Sequence, residues 1–283
     1  MEHEIAEFIE SLRLKNASEH TVKGYATDLK EFKDGFPDKP VTAIGKKELT
    51  NFLAGLRRYG FDNSTANRKL SALRSFFKFL VEKGTISKNP AVNVKAPKIE
   101  SKLPSFLTEE SAEKLMDTEN LSPRDRAILE TLYGTGVRAS ELIGMNIGSL
   151  DFVNETVTVL GKGSKERKIP LTRTAIYVLK NYIANRNMME RDAPLFLNKY
   201  NQRLSQRGLQ NIVNKHIRMI AELRRMSPHT LRHTYASVML NKGCDLRTIQ
   251  ELLGHASIAS TQIYTHLTVE KLKDAYKTGH PRA

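Results

Sequence analysis

Apolar positions recur at helical spacing along most of the chain, and this pattern predicts a mainly α-helical protein. Ile5, Phe8, Ile9 and Leu12 fall on one helical face. After Ser18, which is placed to cap, Val22, Tyr25, Leu29 and Phe32 do the same. GFPDKP at 35–40 makes a turn, and Leu49, Leu53 and Leu56 mark a third helix. Ala66, Leu70, Leu73, Phe76, Phe77 and Leu80 form a longer stripe that stops at Gly84. Nothing in this stretch alternates like a strand, so 1–90 reads as a small four-helix domain.

The pattern then lapses. Pro90, Pro97 and Pro104 stand among Lys95, Lys98 and Lys102 with no sustained period. Prolines so spaced forbid a continuous helix and favour extended chain. The expected organisation is a domain at 1–91, a linker at 92–104 and a second domain at 105–283.

The second domain opens with Thr108 as a helix cap before Glu109 and Glu110, whose charges suit the positive helix end. Pro123 begins a helix that passes Ile128, Leu129 and Leu132 to Gly134, and VRASELIGM at 137–145 is helical again. Two short runs differ. Thr156–Leu160 is dominated by β-branched residues, and Arg167–Leu171 is short and extended. Gly161 and Gly163 lie between them, which makes GKGSKE a hairpin tip. Helical patterning resumes at 174–185, 205–221, 230–241, 245–253, 258–264 and 268–277. The fold class expected is therefore α+β, mainly α with one small β-sheet.

Composition narrows the function. The 283 residues carry 45 Lys and Arg against 31 Asp and Glu, a net charge of +14. Residues 1–97 hold a surplus of five of those charges and the rest of the chain holds nine, so both halves are basic. A clamp around a polyanion has this character, and nucleic acid is favoured over a membrane surface. Cys244 is the only cysteine, which excludes an intramolecular disulfide and a Cys-rich zinc site. No stretch approaches the roughly 18 apolar residues of a membrane span, and the N-terminus lacks the features of a secretory signal. A cytoplasmic protein is expected.

The chemistry is suggested by what is missing as much as by what is present. The sequence contains no HExxH, paired CxxC, GxxxxGK[ST] or GxSxG motif, and no carboxylate cluster like a two-metal nuclease site. Action on phosphates would then fall to side-chain cations, with no cofactor and no metal expected. His229 and Arg232 lie three apart in SPHTLRHT and share a helical face. Gly254-His255 follows, then Tyr264 in TQIYTH. A guanidinium can hold two phosphate oxygens in bidentate fashion, an imidazole can move a proton near neutral pH, and a phenol becomes a nucleophile once its deprotonation is assisted. Taken singly, each has an ordinary structural reading: a salt-bridged helix face, a helix C-cap, an amphipathic tyrosine.

In this order, however, TGVRASEL, GKGSKER, HTLRHT and LGHASIASTQIYTH resemble the tyrosine recombinase (phage integrase) family, and within it the Xer-type site-specific recombinases. SEHTVKGYATDLKEF and TANRKLSALRSFFKFL resemble the family's helical core-binding domain, so the likeness spans almost the whole chain. It implies an N-terminal core-binding domain, a catalytic domain and a C-terminal helix exchanged between protomers. Residue by residue, it makes Arg138 and Arg232 phosphate clamps, Lys162 the donor of a proton to the leaving 5′ oxygen, and His229 a proton acceptor. His255 supports the scissile phosphate and Tyr264 is the nucleophile. Glu141, one turn after Arg138, is its orienter, and Lys165 is the rival to Lys162. The implied partners are duplex DNA carrying a specific recombination site, further copies of the chain (a tetramer at synapsis) and a directing accessory protein. Three alternatives stay open on these residues: a mobile-element integrase or transposase, a catalytically silent DNA-binding regulator, and a topoisomerase-like nicking and closing enzyme.

Overall fold

The protein is described by a computed structural model covering residues 1–98, 107–119, 121–161, 165–186, 190–220, 227–254 and 282. The chain forms two compact units, Met1–Lys102 and Leu103–Ala283.

Among the described residues, the first unit contains four α-helices: α1 (Glu2–Leu14), α2 (Glu19–Asp34), α3 (Lys46–Arg58) and α4 (Asn63–Glu82). Each starts where the local chemistry favours it. Ser18 accepts the backbone N–H of Thr21 at the start of α2, and Asp62 accepts that of Thr65 at the start of α4. The apolar stripes meet in a core where Phe32, Phe76, Phe77, Leu29 and Leu73 are wholly buried. Each such side chain contributes about 1.5–3 kcal/mol through burial. Lys69 lies within the buried face of α4, its ammonium 3.0 Å from Asp28 Oδ1 and 2.6 Å from Glu31 Oε2 on α2. A lysine buried in this way is tolerated because both carboxylates face it.

The first half of the expected linker is packed chain. Arg74 donates to the carbonyls of Ala91 and Val94, at 3.2 and 2.8 Å. Asn67 donates to Pro97 O at 2.9 Å and Asn63 to Lys98 O at 2.8 Å. Prolines prevent a helix here, but they leave the carbonyls available, and α4 supplies the donors. Residues 92–98 thus lie against the first unit.

The second unit contains α5 (Glu109–Met116), α6 (Pro123–Thr135), α7 (Ala139–Gly144), β1 (Leu150–Asp151), β2 (Thr156–Leu160), β3 (Glu166–Pro170), α8 (Arg173–Ala184), α9 (Gln206–Arg218), α10 (Pro228–Asn241) and α11 (Leu246–Leu253). The strands form one antiparallel sheet in the order β1-β2-β3, with Val157 opposite Ile169 and Leu160 opposite Glu166. The expected hairpin is present, closed by the Gly161 N–H on Lys165 O at 2.8 Å. β1 was not expected; two residues are too few to show a period. The helices expected at 258–264 and 268–277 lie outside the described residues. Among the described residues, no helix is long and apolar enough to cross a membrane.

The core is built on α6, buried from Ala127 through Thr135 and packed against α5, α7, α8 and α10. A helix covered on every side belongs to the interior of a domain. Its few charged groups are matched. Asp125 accepts from His216 Nε2 on α9 at 3.0 Å and from Arg124 Nε at 2.9 Å, tying α9 to the first turn of α6. Glu130, only 1% exposed, accepts from Arg282 Nη2 at 2.8 Å, while Arg282 Nη1 donates to Asp117 at 3.1 Å. Burial pushes the Glu130 carboxyl up to about 6, against the opposing pull of Arg282 and Arg126. The folded state therefore holds this proton more tightly than the unfolded chain does. Glu130's contribution to stability grows as pH falls through about 6 towards the ordinary glutamate value.

One prediction follows from that pairing. Arg282→Ala leaves Glu130 buried without its guanidinium, which should cost about 3 kcal/mol where the carboxyl is charged. The loss, read from thermal unfolding, should be clear at pH 8 and smaller at about pH 5, where Glu130 binds a proton. An equal loss at both pH values would show that the ion pair is not the source.

Candidate active site

The site is assembled where two chain turns converge. α6 ends at Gly136, whose φ of +61° lets the chain reverse. A Cβ at Gly136 would lie 2.6 Å from the Tyr235 ring and 2.8 Å from Leu253, so glycine is required on both steric and conformational grounds. Two residues later Arg138 precedes the first residue of α7, in extended backbone. Glu141, three residues on, reaches back to accept the Arg138 N–H at 2.8 Å. The turn therefore fixes both the first arginine and its carboxylate.

The second turn is the end of α11, where Gly254 adopts φ +66°. Three successive carbonyls at this end each accept from a different arginine. Leu252 O takes Arg167 Nε at 3.3 Å, Leu253 O takes Arg232 Nη2 at 2.7 Å, and Gly254 O takes Arg138 Nη2 at 2.6 Å. The last carbonyls of a helix lack intrahelical partners and carry partial negative charge, so this end is suited to cations. Arg232, on α10 and 7% exposed, also donates from Nη1 to Gly136 O at 2.7 Å, joining the ends of α6 and α11.

Glu141 is the carboxylate among these cations. Its Oε1 accepts Arg138 Nη1 and Arg167 Nη1, each at 2.7 Å; its Oε2 accepts Arg167 Nη2 at 2.7 Å and the Arg138 N–H. Those four bonds fill the capacity of a carboxylate. Burial alone would raise its pKa, but the bonds from Arg167 and Arg138 outweigh burial and hold it at about 2. Burial and the neighbouring Arg138 lower Arg232 to about 10, which leaves it charged at neutral pH. Two guanidinium groups thus share one carboxylate and a third, Arg232, is held by carbonyls beside them, so the cluster keeps a surplus of two positive charges.

His229 opens α10 beside this cluster, three residues before Arg232. Partial burial and the positive charges of Arg232, His233 and Arg138 lower its pKa from the ordinary histidine value. The imidazole is therefore neutral at pH 7 and able to accept a proton. Of the six residues singled out from sequence, the structure brings Arg138, Arg232 and His229 to one place. Lys162, His255 and Tyr264 lie outside the described residues. Gly161 and Lys165 close the hairpin on either side of Lys162, and Gly254 is the residue before His255.

Arg167 joins the cluster although its sequence position reads only as part of a strand. A signal was present. Along β3 the inward positions alternate with exposed ones, and Arg167 shares a face with fully buried Ile169. A charged residue on the inward face of a strand requires a partner.

The geometry has counterparts among known proteins. Residues 105–271 match the phage integrase family, and residues 5–84 match the phage integrase N-terminal SAM-like domain. A tyrosine recombinase XerC of Pelobacter propionicus is 41% identical over 279 residues, covering 95% of this chain and 92% of its own. A tyrosine recombinase XerD of Oceanobacillus iheyensis is 37% identical and covered in full on both sides. Among solved structures, XerA recombinase is 28% identical at a TM-score of 0.52, covering 100% of this chain and 99% of its own. A lambda integrase dimer bound to a COC′ core site shares the fold at 21% identity and a TM-score of 0.70, over 95% of this chain and 99% of that one. Family models covering most of the chain, together with relatives of about 40% identity along its length, place it plainly: this chain belongs to the phage integrase family, among the tyrosine recombinases of the Xer type.

Proposed function

We propose that the chain recombines duplex DNA at specific sites by breaking and rejoining strands through a 3′-phosphotyrosine. The observation that carries this reading is the cluster of three arginines and one carboxylate at the end of α11. Attack on a phosphodiester raises its charge towards two negatives on the non-bridging oxygens. A fixed surplus of two positive charges opposes that change, and preorganised electrostatics of this kind dominate such catalysis. Arg138 and Arg232 supply the forks. Their protein bonds to Glu141, Gly136 and the α11 carbonyls hold them in place before DNA arrives.

The reaction balances within the residues named. Tyr264 Oη forms a bond to phosphorus while its proton passes to neutral His229. The bond from phosphorus to the 5′ oxygen breaks, and that oxygen takes a proton from Lys162. His255 supports the non-bridging oxygens. Because the ester energy is retained in the phosphotyrosine, a 5′-hydroxyl of another strand can reverse the step, with no nucleotide or metal called for. The proposed role is resolution of chromosome or plasmid dimers in the cytoplasm, by four protomers on two sites and with a directing partner protein. Relatives named XerC and XerD that match along nearly their full length favour this over a mobile-element integrase. The first unit is read as the core-binding domain, with the second carrying the chemistry.

Two predictions test the reading. Tyr264→Phe should bind site-containing DNA as the wild type does and form no covalent adduct on a nicked suicide substrate, whereas the wild type should form the adduct in excess chelator. Adducts from the Phe variant would exclude Tyr264 as nucleophile, and adduct formation that stops with chelator and returns with magnesium would exclude the metal-free route. The second concerns charge. With both halves basic, log K should fall by roughly 0.9 for each phosphate contact per decade of salt, and more steeply for the whole chain than for residues 105–283. Equal slopes would mean that residues 1–91 do not grip DNA.

A further inference from the structure

We infer that Arg167 is a positioning residue for strand cleavage, acting on the scissile phosphate only through Arg138. It fixes the Arg138 guanidinium by way of Glu141 and fastens the β2–β3 hairpin to the end of α11. This rests on the reading of Arg138 as a phosphate clamp.

Three observations support it. The first is saturation. Arg167 Nη1 and Nη2 form a bidentate pair with Glu141, both at 2.7 Å, and Nε donates to Leu252 O. All three nitrogens of the guanidinium are engaged by protein. It is placed to organise the site rather than to hold DNA. The second is shared acceptors. Each Glu141 oxygen that binds Arg167 also binds Arg138, one through the Arg138 guanidinium and one through its backbone. Glu141 cannot turn without moving both. Removing Arg167 empties half of the carboxylate's acceptor sites and frees it to rotate, and the Arg138 fork would follow.

The third is contact with Gly254. A Cβ there would lie 2.9–3.1 Å from Nη1, Cζ and Nε of Arg167. The guanidinium therefore lies directly against the turn whose carbonyl holds Arg138 Nη2. Its own backbone, on β3, is two residues from Lys165, which closes the hairpin with Gly161. Lys162 follows Gly161 in sequence. One side chain thus joins the strand leading from Lys162, the carboxylate that orients Arg138 and the turn that precedes His255. Lysine offers no planar fork and cannot reproduce three directed bonds.

The test compares Arg167→Gln, Arg167→Lys and Arg138→Ala with wild type. It measures single-turnover cleavage of a nicked suicide substrate at saturating DNA, DNA affinity, and thermal unfolding. Removing an outer partner of a metal ligand costs about 10–100-fold, and the same range is expected in the cleavage rate of Arg167→Gln. Its DNA affinity should stay within about twofold, the split expected when a group acts on the transition state alone. Arg167→Lys should fall between. The acid side of the pH–rate profile should also move towards neutrality in Arg167→Gln. Without Arg167, burial of Glu141 is less opposed, so it takes up a proton at higher pH and releases Arg138. Combined with Arg138→Lys, the effect of Arg167→Gln should shrink, because the two act in series.

A wild-type cleavage rate in Arg167→Gln beside an inactive Arg138→Ala would overturn this inference and leave the proposed chemistry standing. A wild-type rate in Arg138→Ala would overturn the chemistry itself. Rate and affinity falling together with the unfolding temperature, and an unmoved pH profile, would reduce Arg167 to a structural residue. Should Arg167→Gln fail to fold, Arg167→Lys, which keeps the charge, decides by the same comparisons.

Discussion

One buried carboxylate and the final turn of one eight-residue helix hold three guanidinium groups together. Like charges at this spacing repel, and the protein interior screens them poorly. Glu141 neutralises one charge; the carbonyls of Leu252, Leu253 and Gly254 offset part of the rest with the negative end of the α11 dipole. What remains is a positive site that is stable when empty and more stable with an anion in it. Fold and reactivity share this origin, since the bonds that close the ends of α6 and α11 are those that hold the arginines.

The electrostatics also set the division of labour among residues. Glu141 stays ionised over any physiological range because its pKa is held at about 2. Arg232 stays charged despite burial. His229, beside the same cations, is kept neutral. The same positive surroundings lower both groups, yet they leave Arg232 charged and His229, three residues away, uncharged. Only their intrinsic proton affinities separate them.

Much of this was legible in the sequence. The helices at 173–184, 206–218 and 228–241 follow from apolar spacing, and Ser18, Thr108 and Pro123 mark helix starts as expected. Arg138, Arg232 and His229, which the structure places together, stand out in the sequence because each lies in a motif with fixed neighbours. What was hidden depends on contacts between distant segments. Arg167 looks like a solvated strand residue until Glu141, 26 positions away, is seen to meet it. Residues 92–98 look like free linker, because donors from Asn63, Asn67 and Arg74 are invisible to local pattern. The partner of Glu130 lies 152 positions away, beyond the reach of any periodicity.

That last contact has an entropic meaning. Arg282 and Glu130 belong to one chain, so the contact forms without two molecules giving up their independent motion. A second molecule's arginine making the same bonds would carry that entropic cost, and its occupancy would depend on concentration. The pairing of Arg282 with Asp117 and Glu130 is therefore independent of protein concentration.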